Sequence, residues 1–341
     1  MELAGKQTMV VGLGESGLAV VRFLAGRGAR VVVNDRRDRE ALGAAATEAE
    51  ALGASVVLGG HPDGAFEDLD LIVVSPGVPP LAQFDRAEAR GVPVLGEVEL
   101  AARFIDAPIV AITGTNGKST VTTLIGEMSR RLGRPVFVGG NLGRPMIEAV
   151  GTDAGCKGGL VIVELSSFQL ERVSQMKAHI ALLLNITPDH LDRYPSFDAY
   201  AAAKACIFER QDADDFAILP ADAPDLRELI DDGEGTVVLF DGRSGEVRVI
   251  DGVLTDLQSS LEVPVGELKI RGSHNLSNAC AAALAARLLG VREDDIGFVL
   301  RDFKGLAHRT QYVRSVDGVE YIDDSKATNV GAAVASIDGL A

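Results

Sequence analysis

The chain has 341 residues, room for two or three domains of ~100–200 residues each. Hydrophobic residues at 47% and charged residues at 24% exclude a largely disordered chain. Thirty-three basic and 49 acidic residues leave a net charge of −16, which argues against coating nucleic acid or an anionic membrane but leaves room for a local phosphate pocket.

The N-terminus carries no apolar core of a signal peptide. The most apolar run, Ala279–Val291, is interrupted by Arg287 and falls short of the ~20 residues of a membrane span. Cys156, Cys206 and Cys280 form no CxxC, so a reduced compartment and buried thiols are expected. A cytoplasmic protein without nucleic-acid or membrane partners is the expectation.

Short β-branched runs alternate with Ala/Leu-rich helical stretches from the start, the rhythm of a doubly wound α/β sheet. Thr8–Val11, Arg30–Asn34, Val56–Leu58, Leu71–Ser75 and Val92–Leu95 read as buried parallel strands, with a helix over Ser16–Gly26. Gly12-Leu13-Gly14-Glu15-Ser16-Gly17 matches GxGxxG between strand and helix, and Asp35 ends the next strand. Glycines let the backbone approach a diphosphate, the helix N-terminus favours its charge, and the acid accepts from a sugar or base. Any nucleotide diphosphate suits this geometry, so NAD is not singled out; a turn that merely lets helix pack on strand is the plain alternative. Ser75-Pro76-Gly77-Val78-Pro79 should lie on the same sheet edge and close over the ligand.

A second set of strands begins at Pro108–Thr113 and continues with Leu160–Leu165, Ile180–Ile186 and Phe216–Leu219. The first runs straight into Thr113-Gly114-Thr115-Asn116-Gly117-Lys118-Ser119-Thr120, followed by a helix. This departs from the full GxxxxGK pattern, because Ile112 stands where its first glycine would be. Strand, glycine loop, Gly-Lys-Ser-Thr and helix nevertheless point to ATP, with Lys118 on the β/γ-phosphates and Ser119 or Thr120 on Mg²⁺. Two nucleotide loops in one chain disfavour a dehydrogenase, which needs no phosphate donor.

Glu164 ends an apolar strand beside that loop, a position suited to Mg²⁺ or to a plain hydrogen bond with a turn. His190, in Asn185–Tyr194, is read as lying just past the next strand, with metal or substrate contact and a structural role equally open. Lys204, within an Ala-rich helix over Tyr200–Phe208, reads on its own as a solvated lysine. Thr236–Ile270 should form edge hairpins, Asn275–Leu289 a helix, and Val313–Val316 with Glu320–Ile322 a hairpin about Asp317-Gly318.

These motifs together resemble the Mur ligases over all 341 residues, in the form of their D-glutamate-adding member. Thr113–Thr120 resembles the superfamily ATP loop, shared with folylpolyglutamate synthases. Glu164–Leu170, Asn185–Tyr194 and Asp324-Ser325-Lys326-Ala327-Thr328-Asn329 are more specific, since other Mur ligases replace the Ser-Ser-Phe-Gln run. The resemblance implies an α/β fold of a Rossmann-like domain (1–95), a P-loop ATPase-like domain (96–300) and the start of a third, Rossmann-like domain (301–341). It implies a uridine-diphosphate site at Gly14, Glu15, Ser16, Asp35, Arg36 and Gly77, and a sugar-peptide contact at Asn141. Gly114, Thr115, Asn116, Gly117, Lys118, Ser119 and Thr120 would cradle ATP, with Asn275 and Asn278 on adenine. Arg309 would reach ATP from the third domain, and Asp324, Lys326 and Thr328 would face phosphate and substrate. Ser119, Glu164, His190 and a carbamylated Lys204 would surround two Mg²⁺ ions.

The implied reaction is ATP-dependent addition of D-glutamate to UDP-N-acetylmuramoyl-L-alanine through an acyl phosphate, in peptidoglycan precursor synthesis. Lys118, His190, Lys204 and Arg309 would form its machinery. A folylpolyglutamate-synthase-like ligase shares the middle domain, but leaves the Gly12–Asp35 unit unexplained. A non-catalytic UDP-sugar or ATP binder is the third reading. The family's third domain normally continues well past the last motif, whereas this sequence stops at Ala341. The sequence therefore predicts a tail, with a helix over Val330–Leu340, that is mobile or borrows a surface, and very weak ligation.

Overall fold

Runs of Val, Ile, Leu and Ala without polar interruption build two large sheets buried on both faces. The computed structural model describes residues 1–230 and 234–338. The first sheet contains β1 (Gln7–Val11), β2 (Arg30–Asp35), β3 (Ser55–Leu58), β4 (Leu71–Val74) and β5 (Val94–Gly96). Its order is β3-β2-β1-β4-β5, all parallel.

The second sheet contains β6 (Ile109–Thr113), β7 (Val136–Gly140), β8 (Leu160–Glu164), β9 (Ile180–Leu183), β10 (Phe216–Pro220), β11 (Thr236–Phe240), β12 (Val247–Ile250), β13 (Val253–Asp256) and β14 (Glu262–Pro264). Its order is β14-β13-β12-β11-β10-β9-β6-β8-β7, parallel from β7 to β12 with an antiparallel edge of β13 and β14. A separate hairpin joins β15 (Gln311–Val316) to β16 (Val319–Asp323) around Asp317 and Gly318, both at positive φ.

One apolar cluster runs from Val10 and Val33 of the first sheet through Val98 to Phe137, Val161 and Leu219 of the second. The first two units therefore share a continuous core. On the other face of the second sheet, the helices Lys118–Ser129 and Ser273–Leu288 close a second cluster around Ile112, Ile162 and Leu182.

Two elements go beyond the sequence expectation. β7 is disguised by the loop-like residues Pro135, Gly139 and Gly140 around its short apolar run. The helix Glu293–Asp302 packs one apolar face and opens with three acids, suited to its N-terminal dipole. The expected strand Ile180–Ile186 ends instead at Leu183, because the chain turns away to brace the phosphate loop: the Thr115 N–H donates to the Asn185 carbonyl at 2.9 Å. His190 thus lies well beyond the strand end. The helix carrying Lys204 runs Phe197–Ala205, capped by Ser196, and Lys204 is only 2% exposed, not the solvated lysine its composition suggests. Of the cysteines only Cys280 is buried; Cys156 is exposed and Cys206 half-buried, which corrects the expectation of buried thiols. The last helix begins at Val330 and runs to Asp338; the expected end at Leu340 lies outside the described residues.

The first glycine turn depends on close backbone approach. A Cβ at Gly17 would sit 1.9 Å from the Gly12 carbonyl oxygen, whereas one at Gly26 meets nothing within 4 Å. Gly17→Ala should therefore destabilise the first unit by about 1–3 kcal/mol, the cost of overpacking. Gly26→Ala should be neutral or stabilising by about 0.4–1 kcal/mol. Urea unfolding of the two variants checks the contrast, and equal stability would contradict it.

Candidate active site

Two cavities open at the carboxyl ends of the parallel strands. The first, about 440 Å³, lies where the strand order reverses between β1 and β4, the place where open α/β sheets take ligands. Gly14, Glu15, Ser16, Asp35, Arg36, Gly77 and Asn141 line it, joined by Arg37 and His61. The Ser75 hydroxyl donates to the Gly12 carbonyl at 2.7 Å, which ties the turn after β4 to the turn after β1.

Asp35 is buried, and both its oxygens already accept. Oδ2 takes the Leu13 N–H at 2.7 Å and the Arg37 guanidinium at 2.8 Å. Oδ1 takes the Arg37 backbone N–H at 2.9 Å and its Nε at 3.0 Å. Burial alone would raise this carboxyl; the hydrogen bonds from Arg37 and Leu13 outweigh it and hold it at about 2. Asp35 thus fixes the glycine turn and aims Arg37, a residue the sequence reading passes over.

The second cavity, about 500 Å³, is lined by Asn116, Gly117, Thr120, Asn275, Asn278, Arg309 and Asp324 of the expected set. Gly117 has φ +86, and a Cβ there would sit 2.3 Å from Asn278 Oδ1. The loop thus lies directly against the helix Ser273–Leu288, and only glycine fits. Lys118 Nζ donates to the carbonyls of Gly114 at 2.9 Å and Thr115 at 2.7 Å. Lys204 Nζ donates to the same Gly114 carbonyl at 2.9 Å. Arg309 reaches in from beyond the second sheet and donates to Ser119 Oγ at 3.1 Å. Lys326 and Thr328 are exposed and line neither of these cavities.

Glu164 and Asn141 connect the two cavities. Glu164 ends β8 and is buried; its Oε1 accepts from Asn141 Nδ2 at 3.1 Å. Its Oε2 is buried with no hydrogen-bond partner among the described residues. An orphaned carboxylate oxygen whose charge is felt by Lys118 and Lys204 fits Mg²⁺ arriving with a nucleotide, because Mg²⁺ takes one or two carboxylates plus phosphate oxygens and water. Among the described residues no three His, Cys, Asp or Glu side chains cluster as a ready-made cage. His190 is exposed, at φ +53, with its ring 4.9 Å from that of Phe168 and its Nε2 3.9 Å from Asp189 Oδ2.

The Mur ligase middle-domain model matches residues 112–286, and the Mur ligase MurD-like N-terminal domain model matches residues 6–96. The chain is 44% identical over 339 residues to the UDP-N-acetylmuramoylalanine--D-glutamate ligase of Desulfosudis oleivorans, covering 97% of this chain and 73% of that one. It is 43% identical over 349 residues to the enzyme of the same name from Geotalea daltonii, covering 100% of this chain and 76% of the relative. The chain belongs to the Mur ligase family.

Solved Mur ligase structures share its fold. A murein peptide ligase from Psychrobacter arcticus superposes with TM-score 0.63 at 18% identity, over 98% of this chain and 76% of that one. MurF from Acinetobacter baumannii gives 0.58 at 20% identity, over 98% and 68%.

Two amines crowd one carbonyl in the loop of this Mur ligase. Burial lowers the Lys118 amine, opposed by Glu164 and reinforced by Arg309. Burial also pulls Lys204 down to about 7, with further lowering by Lys118. Several supporting residues sit unassigned inside motifs the sequence already marks. Asn185 clasps Asn116, accepting its N–H at 2.9 Å and donating to its carbonyl at 3.0 Å. Thr115 Oγ1 accepts the Thr187 N–H at 3.0 Å and lies 3.1 Å from the Tyr200 hydroxyl. The rings of Phe168 and Tyr200 lie against His190, and that of Tyr194 against both of them. Spacing alone gives no signal for these bonds, because their partners come together only when β6 and β9 pair.

The lowered Asp35 carboxyl makes a pH prediction. Its folded value of about 2 lies below the ordinary 3.8, so its stabilisation is fully present above pH 3.8 and is lost as pH falls through about 2. The stability gap between wild type and Asp35→Asn should therefore shrink over that interval. Denaturation of both proteins from pH 5 to 2 measures it, and a constant gap would contradict the charge-based role.

Proposed function

We propose that this chain joins the amine of D-glutamate to the carboxylate of UDP-N-acetylmuramoyl-L-alanine, with ATP converted to ADP and phosphate. The supporting observation is 43–44% identity, over nearly the whole chain, to relatives that bear this activity in their names. The geometry agrees with it. Asn141 lines the first cavity while its amide holds Glu164 near the phosphate loop, so a nucleotide-sugar held at Gly12–Gly17 would direct its far end toward the phosphate donor.

In this reading a substrate carboxylate oxygen attacks the γ-phosphorus, and the bond from that phosphorus to the bridging oxygen of ADP breaks. The D-glutamate amine then attacks the acyl carbon, the carbon–oxygen bond to phosphate breaks, and the amine gives up a proton. Lys118 and Arg309 neutralise charge on the transferring group, and Mg²⁺ held near Glu164 and Ser119 supplies further neutralisation when bound. Arg36, Arg37 and the Gly12–Gly17 turn hold the uridine diphosphate; Asn275 and Asn278 meet adenine.

Lys204 enters as a carbamate. An amine with a pKa of about 7 is roughly a thousandfold richer in the CO₂-reactive neutral form at pH 7 than an ordinary lysine. The ammonium first gives up one proton; the neutral amine then forms an N–C bond to CO₂ and releases a second, so a buried cation becomes an anion with two oxygens that could hold metal. His190 acts beside the second Mg²⁺ or on substrate. The folate-ligase alternative gains nothing from the 440 Å³ cavity at Gly14 and Asp35.

ADP release measured with UDP-N-acetylmuramoyl-L-alanine, with and without D-glutamate, tests the reaction; release that ignores both substrates would overturn it. Lys118→Ala should lower turnover by about 10²–10³-fold, the usual loss of one preorganised charge.

For the carbamate, ¹³C-bicarbonate should give a carbamate carbon signal that is absent in Lys204→Ala. Short carboxylates should restore part of that variant's activity. An identical spectrum in both proteins would return Lys204 to a free amine.

A further inference from the structure

Asn329 closes the last motif, yet the reaction outlined above gives it no role. Its side-chain amide makes four hydrogen bonds. Nδ2 donates to Asn116 Oδ1 at 3.2 Å and to Asp189 Oδ2 at 3.0 Å. Oδ1 accepts from the Ala332 N–H at 2.8 Å and from Asn116 Nδ2 at 3.4 Å. One residue therefore caps the first turn of the helix Val330–Asp338 and grips the phosphate loop and the segment after β9.

The loop side of this grip is rigid. Asn185 clasps the Asn116 backbone from both sides, which leaves the Asn116 side chain to reach out of the loop. The helix lies close: a Cβ built at Gly331 would be 3.3 Å from Thr187 Oγ1 and 3.5 Å from Asn116 Nδ2. A second tie, Arg309 to Ser119, holds the same C-terminal segment to the start of the loop's helix. Asp324, which lines the nucleotide cavity, lies between these two ties in sequence.

We infer that Asn329 is a positioning residue: its reciprocal amide pair with Asn116 latches the segment 324–338 to the phosphate loop and couples the placement of Asp324 to nucleotide binding. The inference rests on the ATP reading of the loop. It acts through Asn116 and Asp189, not by contact with the reacting atoms. Nucleotide that orders Asn116 strengthens the latch, and the latch in turn favours the nucleotide-bound loop, because coupling between two sites is reciprocal.

Asn329→Ser separates the latch from the helix cap. Serine is a good N-cap, but it is too short to span to both Asn116 and Asp189. Hydrogen exchange without nucleotide reads the latch alone. Amides 330–335 should exchange faster in Asn329→Ser and in Asn116→Ala, and the double variant should be no faster than the singles. Calorimetry with ADP–Mg²⁺ should show affinity reduced about 3- to 10-fold in Asn329→Ser, as expected when part of the free energy of the bonds to Asn116 and to the Asp189 carboxylate is coupled to the nucleotide. Affinity for the UDP substrate, read in the same proteins, should be unchanged.

Additive exchange effects, unchanged ADP affinity, or equal loss of both ligands would overturn the proposal. Failure of ADP to bind wild type would overturn the ATP reading and the coupling with it, while exchange without nucleotide would still report on the latch.

Discussion

A single carbonyl, that of Gly114, accepts hydrogen bonds from two largely buried amines, Lys118 and Lys204. Each amine lowers its affinity for a proton through burial, and Lys204 is further lowered by its neighbour. The nearby carboxylates Glu164 and Asp189 oppose these shifts without forming an ion pair at the carbonyl. Such an arrangement holds positive potential in a place with little water to screen it. An anion placed there would relieve that tension. The helix N-terminus at Lys118 adds its own positive end to the same point. Loop conformation, lysine protonation and ligand charge are therefore one coupled problem.

Buried acids in the helix Glu97–Ala102, which begins where β5 ends, hold backbone of the second unit. Glu99 is buried and accepts from the backbone N–H groups of Ser174, Gln175 and Met176. Glu97 accepts from the Ile147 N–H at 2.6 Å, and burial pushes its carboxyl up to about 7. Removing Glu99 would leave the buried Met176 N–H unpaired, and removing Glu97 the buried Ile147 N–H, a loss of about 1–3 kcal/mol each. Together with the apolar core continuous across both sheets, these bonds fix the Gly12–Gly17 turn relative to the phosphate loop. Asn141 can then line the first cavity while its amide holds Glu164.

The strands and the glycine turns were legible because their signals are local. A β-branched run such as Ile109–Ile112 can hide only in a two-faced sheet, and Gly117 is required by its own φ. β7 was hidden because its run is short and two glycines count against it. An Ala-rich helix gives no hint of which face turns inward, so composition alone leaves Lys204 solvated where the family resemblance draws it toward the site; its buried partner is the Gly114 carbonyl, ninety residues away. Arg37 was passed over for Arg36 since adjacent residues are indistinguishable until Asp35 chooses one. Such partners join through strand pairing, and a linear reading contains no term for it.

The C-terminal segment obeys a different balance from the two sheets. Val330, Val334 and Ile337 of its helix remain exposed, Val330 at 80%, and both strands of the hairpin show mostly exposed residues. Little apolar area is removed from water here, so at ~25 cal/mol per Å² burial contributes little to its attachment. What attaches it is polar: Arg309 on Ser119, Asn329 on Asn116 and Asp189. The neutral Asn329–Asn116 bond contributes only about 0.5–1.5 kcal/mol after exchange with water, and the bonds that involve the Arg309 guanidinium and the Asp189 carboxylate about 1.5–3 kcal/mol each. A ligand's differential affinity of a few kcal/mol is the same size. The sheets therefore hold their shape on their own apolar cores, whereas Arg309 and Asp324 are carried by a segment attached by a few polar contacts, weak enough for a bound ligand to shift.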